Sequence, residues 1–259
     1  ESDSSDDSLR LGQLLAKQLG IRTFKEDISG ILTGAECYRR RDAAIKEVVP
    51  EYHAGYKSKL VLSSLDSSEF RISYVVVQSP DGTQSKVRLT GDAFLALVAA
   101  TNFKQRTRKM MEYYYADRFL YAVAGTPNRL EYDQGFFVKN GDGSADIKPI
   151  AHLYKSQVYQ LAAFLGVPDE ILTRPPTTDT YSLAQSQEEF YFSLPFDKMD
   201  LCLYGKNHKL PATEVAGALG LTEAQVWRVY RDIDAKRAVA RYLNMEPLLA
   251  QSIRDTSVS

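Results

Sequence analysis

Glycine and acidic residues cluster in the run Gly-Asp-Gly-Ser-Ala-Asp at 141–146, with Lys139 just before it and Lys155 shortly after it. Taken alone, a Gly-Asp-Gly run is typical of a tight surface turn. Asp146 and the two lysines nevertheless carry charged groups that can bind the phosphates and polar groups of a small ligand. The pattern leaves a turn and a ligand site both open, and the neighbouring residues favour the second.

A short apolar run, Leu120 to Thr126, precedes that cluster and is typical of a strand buried on both faces of a parallel sheet. In open parallel sheets, ligands bind at the carboxyl ends of the strands, where Thr126 would lie. Glu131 follows about one helical turn later. Its carboxylate could hold Mg²⁺, which prefers one or two acidic oxygens together with phosphate oxygens. Glu131 could equally be an ordinary residue on a helix surface.

Arg106 lies in a strongly basic segment, with four basic residues among the six positions 104–109. On a helix, such a run is typical of a solvated face. The planar guanidinium of Arg106 is also suited to a bidentate clamp on phosphate or carboxylate. Both interpretations stay open on the residues alone.

The periodicity of the chain predicts an α/β protein that would position these groups. A helix is predicted between an N-cap at Ser5 or Asp6 and a C-cap at Gly20. Alternating and β-branched residues at 59–90, with a turn at 80–82, predict a β-hairpin insertion. The other predicted elements, in chain order, are a strand near 21–28, a helix at 31–49, a long helix at 92–117, a helix at 153–165, a polar mobile loop at 177–187 and a helical last third.

Length and composition exclude several classes of protein. A chain of 259 residues with 44% apolar content can bury a large core, and its net charge of −1 argues against a general polyanion binder. Cys37 and Cys202 suggest neither a disulfide framework nor a zinc site. No apolar run approaches the roughly 20 residues that span a bilayer. We therefore expect a cytosolic protein with no membrane or nucleic-acid partner.

Several segments resemble, in their order and spacing, the ammonia-dependent NAD synthetases of the N-type ATP pyrophosphatase group. These segments are SSDDSL, NFKQRTRKM, VAGTPNRLE, GFFVKNGDGSADIKPIAHLYKSQVYQLAAFLGVP and RPPTTD. The resemblance implies an α/β fold of the adenine nucleotide alpha hydrolase type, with a parallel sheet flanked by helices, over one catalytic domain at 1–259. It also implies ATP-dependent amidation of deamido-NAD with ammonia through an adenylated nicotinate carboxylate. Magnesium, ATP as co-substrate and a cytosolic homodimer, with its substrate site partly built at the subunit interface, are implied as well.

Carried over by motif, the resemblance assigns roles to individual residues. The ATP contacts that it implies are Thr126, Lys155 and Thr177. The magnesium ligand that it implies is Glu131. The deamido-NAD contacts that it implies are Arg106, Lys139, Asp146 and Lys236. It identifies no catalytic residue.

The sequence also departs from the family pattern. Ala235-Lys236 replaces a His-Lys pair, and Gln187-Glu188 replaces an Asp-Glu pair in the flexible loop, so neither Gln187 nor Glu188 is given a catalytic role. The Ser-Gly-Gly-x-Asp-Ser loop, whose successive backbone N–H groups grip pyrophosphate, does not occur in these residues. We therefore expect the sequence to be part of a longer enzyme and to bind ATP poorly alone.

Two other functions stay open at this point. One is a catalytically inactive relative that keeps the fold for assembly or regulation, which the departures favour and the intact Thr126, Glu131, Asp146 and Lys155 set argues against. The other is DNA binding, because 211–230 has the pattern of a helix-turn-helix with a turn at Gly220.

Overall fold

The computed structural model describes residues 3–62, 72–178 and 180–251. The elements, in chain order, are α1 (Asp6–Leu19), α2 (Ser29–Gly34), α3 (Cys37–Lys46), β1 (Lys57–Leu62), β2 (Ser73–Gln78), β3 (Gln84–Arg88), α4 (Gly91–Phe119), α5 (Arg129–Gln134), α6 (Lys155–Phe164), α7 (Asp169–Leu172), a π-helical turn (Glu188–Phe192), α8 (Phe196–Asn207), α9 (Ala212–Leu219) and α10 (Glu223–Leu243). Among the helices in these three ranges, none has the length and apolar character needed to cross a membrane.

The first helix has the caps that the sequence predicts. The Ser5 hydroxyl accepts a hydrogen bond from the backbone N–H of Ser8, and Gly20 ends α1 in the left-handed conformation. The strand predicted at 21–28 is wrong. A strand needs a neighbour for its backbone hydrogen bonds, and the described residues place none beside this segment. Ile28 alone is buried there.

The helix predicted at 31–49 is divided into α2 and α3. Glu36 causes the break because it adopts the left-handed conformation, with φ of 58°, between the two helices. Leu32 of α2 and Cys37 of α3 are both buried and pack with Ile28 in a small apolar cluster. This cluster attaches the N-terminal helices to α4.

The β-rich segment forms a three-stranded antiparallel sheet in the order β1-β2-β3, with Leu60 opposite Val75 and Val75 opposite Val87. The predicted turn between β2 and β3 is present, and Gly82 has the positive φ of 90° that such a turn requires. One face of the sheet packs against α3 and α4, through buried side chains that include Leu60, Val75, Val77, Ile45 and Leu97. The sheet is therefore part of a core that also supports α4.

The run 120–126 is extended but is not the doubly buried strand that the sequence predicts. Leu120 is 94% exposed and Tyr121 is 70% exposed, because Leu120 ends α4 in a left-handed conformation. A single parallel bridge, between Ala124 and Ile147, joins this run to the segment after the glycine cluster. Within the described part of the chain, this bridge is the only parallel pairing of extended segments. It brings Thr126 close to the 141–147 segment.

The C-terminal third is helical, as predicted. Helices α8, α9 and α10 surround an apolar core that includes Leu130, Met199, Leu203, Val226 and Ile233. The predicted helix-turn-helix segment forms α9 and the start of α10, joined at Gly220. The apolar faces of both helices pack into this core, so the pattern is accounted for as a helical hairpin.

Candidate active site

A cavity of about 770 Å³ lies where α4, α5, the 135–142 segment, the 177–187 loop and the end of α10 meet. This volume is in the range of small-molecule sites. Residues that are far apart in the sequence converge on its wall. The predicted site residues that line it are Arg106, Thr126, Glu131, Lys139 and Thr177.

Three side chains at the cavity wall and directly behind it form what we call the inner cluster: Lys155, Glu131 and Gln187. The Lys155 ammonium donates to Gln187 Oε1 at 2.6 Å, and Gln187 Nε2 donates to Glu131 Oε1 at 3.3 Å. Lys155 Nζ lies 3.6 Å from Glu131 Oε1. Glu131 and Gln187 line the cavity, and the largely buried Lys155 stands behind them.

The local sequence around α5 holds Glu131 in place. Glu131 lies three residues after Asn128, the spacing of a capping box. The Asn128 side chain accepts from the Glu131 N–H at 3.3 Å, and Glu131 Oε2 accepts from the Asn128 N–H at 3.0 Å. The second carboxylate oxygen, Oε1, is the one that faces Lys155 and Gln187.

A carboxylate from another helix positions Lys155, the first residue of α6. Asp200 of α8 accepts hydrogen bonds from the backbone N–H groups of Lys155, at 3.2 Å, and Ser156, at 2.7 Å. It thereby satisfies donors that a helix N-terminus leaves without intrahelical partners. Burial raises the pKa of Asp200, and burial lowers the pKa of Lys155, with Glu131 and Asp200 acting in the opposite direction on the lysine.

Arg106 and Lys139, which we call the outer pair, also line the cavity. Arg106 Nε donates to the Lys139 carbonyl oxygen at 3.2 Å. Lys139 Nζ donates to the carbonyl oxygens of Tyr242 and Met245, at 3.1 and 3.3 Å. Neither cation has a carboxylate partner within the ranges that the structure covers. The outer pair therefore presents positive charge that the surrounding backbone balances only in part.

The polar loop at 177–187 covers this cavity. Thr177 and Ser186 form an antiparallel bridge at its ends. Tyr181 is buried in the core of the sheet, and the Gln185 side chain donates to the Leu60 carbonyl oxygen. These contacts tie the loop to β1, and its predicted mobility stays a prediction.

Asp146 and Lys236 do not line the cavity. Asp146 Oδ2 accepts from the backbone N–H of Val123 at 2.7 Å and so joins the two extended segments beside Thr126. Lys236 is 9% exposed and forms an ion pair with Asp232 at 2.6 Å. It also donates to the carbonyl oxygen of Tyr191, a cavity residue, at 2.6 Å. The described geometry thus gives both residues structural contacts, and connects Lys236 to the cavity through Tyr191.

Two cavity residues were missed by the sequence reasoning. Asp142 lines the wall, and burial raises its pKa, with Glu131 adding to the effect. Its place in the Gly-Asp-Gly run was a usable signal: a Cβ at Gly143 would collide with the Phe137 ring, so the backbone must pass close to the cavity wall there. Gln187 was noted only as a departure from the family's Asp-Glu pair, and its contacts gave no local signal because its partners are more than thirty residues away.

The architecture is similar to that of a solved NMN synthetase from Francisella tularensis, with a TM-score of 0.61, 20% sequence identity, and coverage of 96% of this chain and 74% of that one. A glutamine-dependent NAD(+) synthetase from Cytophaga hutchinsonii gives a TM-score of 0.52 at 14% identity, over 92% of this chain and 32% of that one. The fold is thus α/β, of the adenine nucleotide alpha hydrolase-like class.

Sequence comparison then identifies the family. The model of NAD synthase matches residues 58–239. An NH(3)-dependent NAD(+) synthetase of Rhizobium meliloti is 59% identical over 98% of this chain and 77% of its own length. One from Mesorhizobium japonicum is 60% identical over 98% and 80%. The chain belongs to the NAD synthase family.

Proposed function

We propose that this protein uses ATP to amidate the nicotinate carboxylate of deamido-NAD with ammonia, giving NAD, AMP and pyrophosphate. Family membership supports ATP-dependent NAD synthesis. The observation that carries the site assignment is the single cavity that joins the inner cluster to the outer pair. The inner cluster offers a paired cation and carboxylate, and the outer pair offers cations without a carboxylate.

In this proposal the inner cluster binds ATP. The Lys155 ammonium donates hydrogen bonds to the phosphates, and Thr126 and Thr177 orient the nucleotide. Magnesium is implied by the family, and the donor set fits it, since Glu131 lines the cavity and Mg²⁺ needs only one or two carboxylates besides phosphate oxygens. When bound by Glu131 and the nucleotide, the ion would offset phosphate charge.

The outer pair binds the other substrate. Deamido-NAD carries two phosphates and a carboxylate, so it is anionic, and Arg106 and Lys139 offer charge-assisted hydrogen bonds to such groups. Asp146 and Lys236 support the cavity indirectly, Asp146 through the backbone at Val123 and Lys236 through Tyr191. These contacts favour supporting roles over direct binding.

The chemistry requires two displacements. A nicotinate carboxylate oxygen attacks the α-phosphorus of ATP, and pyrophosphate leaves. The nitrogen of ammonia then attacks the carbonyl carbon, AMP leaves with the former carboxylate oxygen, and the nitrogen loses its extra proton. The protein aligns carboxylate and α-phosphate, offsets charge through Lys155, and excludes water from the acyl adenylate.

An isotope experiment on the native enzyme tests this reaction. The enzyme is supplied with ATP, ammonium and deamido-NAD that carries ¹⁸O in the nicotinate carboxylate. We expect one NAD and one AMP for each ATP consumed, with a single ¹⁸O in the AMP phosphate. NAD formation with unlabelled AMP would contradict the adenylate, and no NAD formation would favour an inactive relative.

We also infer that the enzyme is a cytosolic homodimer with a substrate site partly built at the subunit interface. This inference rests on the family resemblance. Light scattering on the purified native protein should give twice the mass of one chain.

A further inference from the structure

Gln187 contacts both charged members of the inner cluster, although the sequence assigns it no role. Its amide oxygen accepts from the Lys155 ammonium at 2.6 Å, and its amide nitrogen donates to Glu131 Oε1 at 3.3 Å. We propose that Gln187 is a positioning residue that sets the spacing between Lys155 and Glu131, so that both groups face one magnesium-bound nucleotide. This inference rests on the proposed function of the cavity.

An amide is suited to this place because of what its neighbours can accept and donate. An ammonium group only donates hydrogen bonds, and an ionised carboxylate only accepts them. The planar amide of Gln187 supplies one acceptor and one donor in a single rigid group, with no net charge. A carboxylate at this position would put a second negative charge beside Glu131, and an aliphatic side chain would satisfy neither neighbour.

The bridge also leaves hydrogen-bonding capacity for a ligand. Lys155 Nζ and Glu131 Oε1 are 3.6 Å apart, which is longer than a hydrogen bond. Of the three ammonium donors of Lys155, the contact with Gln187 uses one. The amide bridges this ion pair at a separation longer than a hydrogen bond, so both groups keep hydrogen-bonding capacity for phosphate and magnesium.

The protein anchors Gln187 on both sides. Its backbone N–H donates to the Pro176 carbonyl oxygen at 3.3 Å, which closes the preceding loop. After it comes the π-helical turn, a rare element that is frequent at functional sites. In this turn, Lys236 donates to the Tyr191 carbonyl oxygen, and the Tyr191 hydroxyl donates to the Gln134 carbonyl oxygen at 2.7 Å. Helices α10 and α5 thus hold the turn that presents Gln187.

The test compares nucleotide binding by variants of the native enzyme. Calorimetry with ATP and Mg²⁺ should show that Gln187→Ala weakens binding about tenfold, as expected for the loss of two modest hydrogen bonds. The KM for ATP should rise by a similar factor, while the KM for deamido-NAD stays unchanged. Gln187→Glu, which keeps the acceptor and loses the donor, should also weaken ATP binding. The matched control is Gln160→Ala on the exposed face of α6, which should bind as the parent does.

Three results would overturn the inference. Gln187→Ala could bind the nucleotide as tightly as the parent, or more tightly, which would make the glutamine a bystander or a competitor. It could instead raise both KM values and lower the thermal midpoint, which indicates a merely structural role. Lys155→Met and Glu131→Gln test the ATP-site assignment separately from the role of Gln187. If they weaken ATP binding and Gln187→Ala does not, only this inference fails; if they also leave binding unchanged, the site assignment itself is wrong.

Discussion

The inner cluster buries an ammonium between a carboxylate and an amide, whereas the outer pair rests its two cations on backbone carbonyls. Lys155 is 8% exposed, and its N-terminal position on α6 is held by the buried Asp200. Arg106, by contrast, is exposed and makes a single 3.2 Å contact with a carbonyl oxygen. The inner cluster and the outer pair therefore differ in burial, in charge balance and in the number of contacts that hold them.

This difference has a physical reason. A charge removed from water is costly unless it is paired and hydrogen-bonded, so a buried ammonium requires its partners to be in place before a ligand arrives. A preorganised buried group gains most in stabilising transition-state charge, because it does not reorganise during the reaction. Exposed cations cost little and can adjust to a large anionic substrate. We therefore expect kcat and ATP affinity to depend on the inner cluster, and deamido-NAD affinity to depend on the outer pair.

The largest effect should follow from removing the inner cation. Lys155→Met keeps the length of the side chain and loses its charge, and we expect the kcat for NAD formation to fall by about 10²–10³-fold, as for the loss of one electrostatic transition-state contact. The rate at saturating ATP, ammonium and deamido-NAD measures this. Lys46→Met, at the exposed end of α3, is the matched control. A fall in kcat of less than tenfold would contradict the expectation that kcat depends on the inner cluster more than on the outer pair.

The second effect should appear in stability. Asp200→Ala leaves two backbone N–H groups at the start of α6 without their partner, at a cost of about 1–3 kcal/mol for each buried group. The free energy of unfolding, from urea titration, should therefore fall by about 2–6 kcal/mol. Asp197→Ala, on an exposed face of the same helix, should cost below about 1 kcal/mol. Equal losses in the two variants would show that Asp200 does not hold Lys155 in place.

Local features of the fold were predictable from the sequence. The Ser5 and Gly20 caps, the turn at Gly82, and helices α4 and α6 depend on residues within a few positions of one another. The strands predicted at 21–28 and 120–126 failed, because a strand is defined by partners that lie elsewhere in the chain. An apolar run alone does not show which segment, if any, lies beside it.

In the candidate site, too, motif and local signals identify some residues, whereas contacts between distant segments determine the roles of others. Family motifs indicated Thr126, Glu131 and Thr177, which line the cavity. Gln187 was missed because its partners come from α5 and α6. For Lys236, a local signal existed: Asp232 lies four residues earlier, the spacing of an ion pair along a helix, and the structure shows that pair at 2.6 Å. Motif resemblance named the residue, and helical spacing accounts for its contact.

A smaller effect should follow at the outer pair. Arg106→Gln should raise the KM for deamido-NAD by about tenfold, because a charge-assisted hydrogen bond at an exposed site contributes roughly 1–1.5 kcal/mol. The kcat and the KM for ATP should change little. Since salt screens exposed charges, raising the ionic strength should increase this KM in the parent enzyme more than in the variant. A selective rise in the KM for ATP would contradict the assignment of the outer pair to deamido-NAD.

The smallest effect concerns Asp142, a partly buried carboxyl in the cavity wall. Burial raises its pKa above the ordinary 3.8, so the folded protein binds this proton more tightly than the unfolded chain does. The stabilisation that the proton gives is complete below pH 3.8 and is lost as the pH rises through the folded pKa. Above that window, the ionised carboxylate is buried at a cost to the folded state.

Asp142→Asn should therefore stabilise the protein near neutral pH and have little effect near pH 3.8. The amide oxygen of asparagine can still accept the hydrogen bond that the Val138 N–H donates to Asp142 at 2.8 Å. Urea unfolding of both proteins across this pH range measures the difference. A variant that is less stable at neutral pH would mean that the Asp142 carboxylate is compensated by its surroundings, and the cavity wall would then be as fully preorganised as the inner cluster.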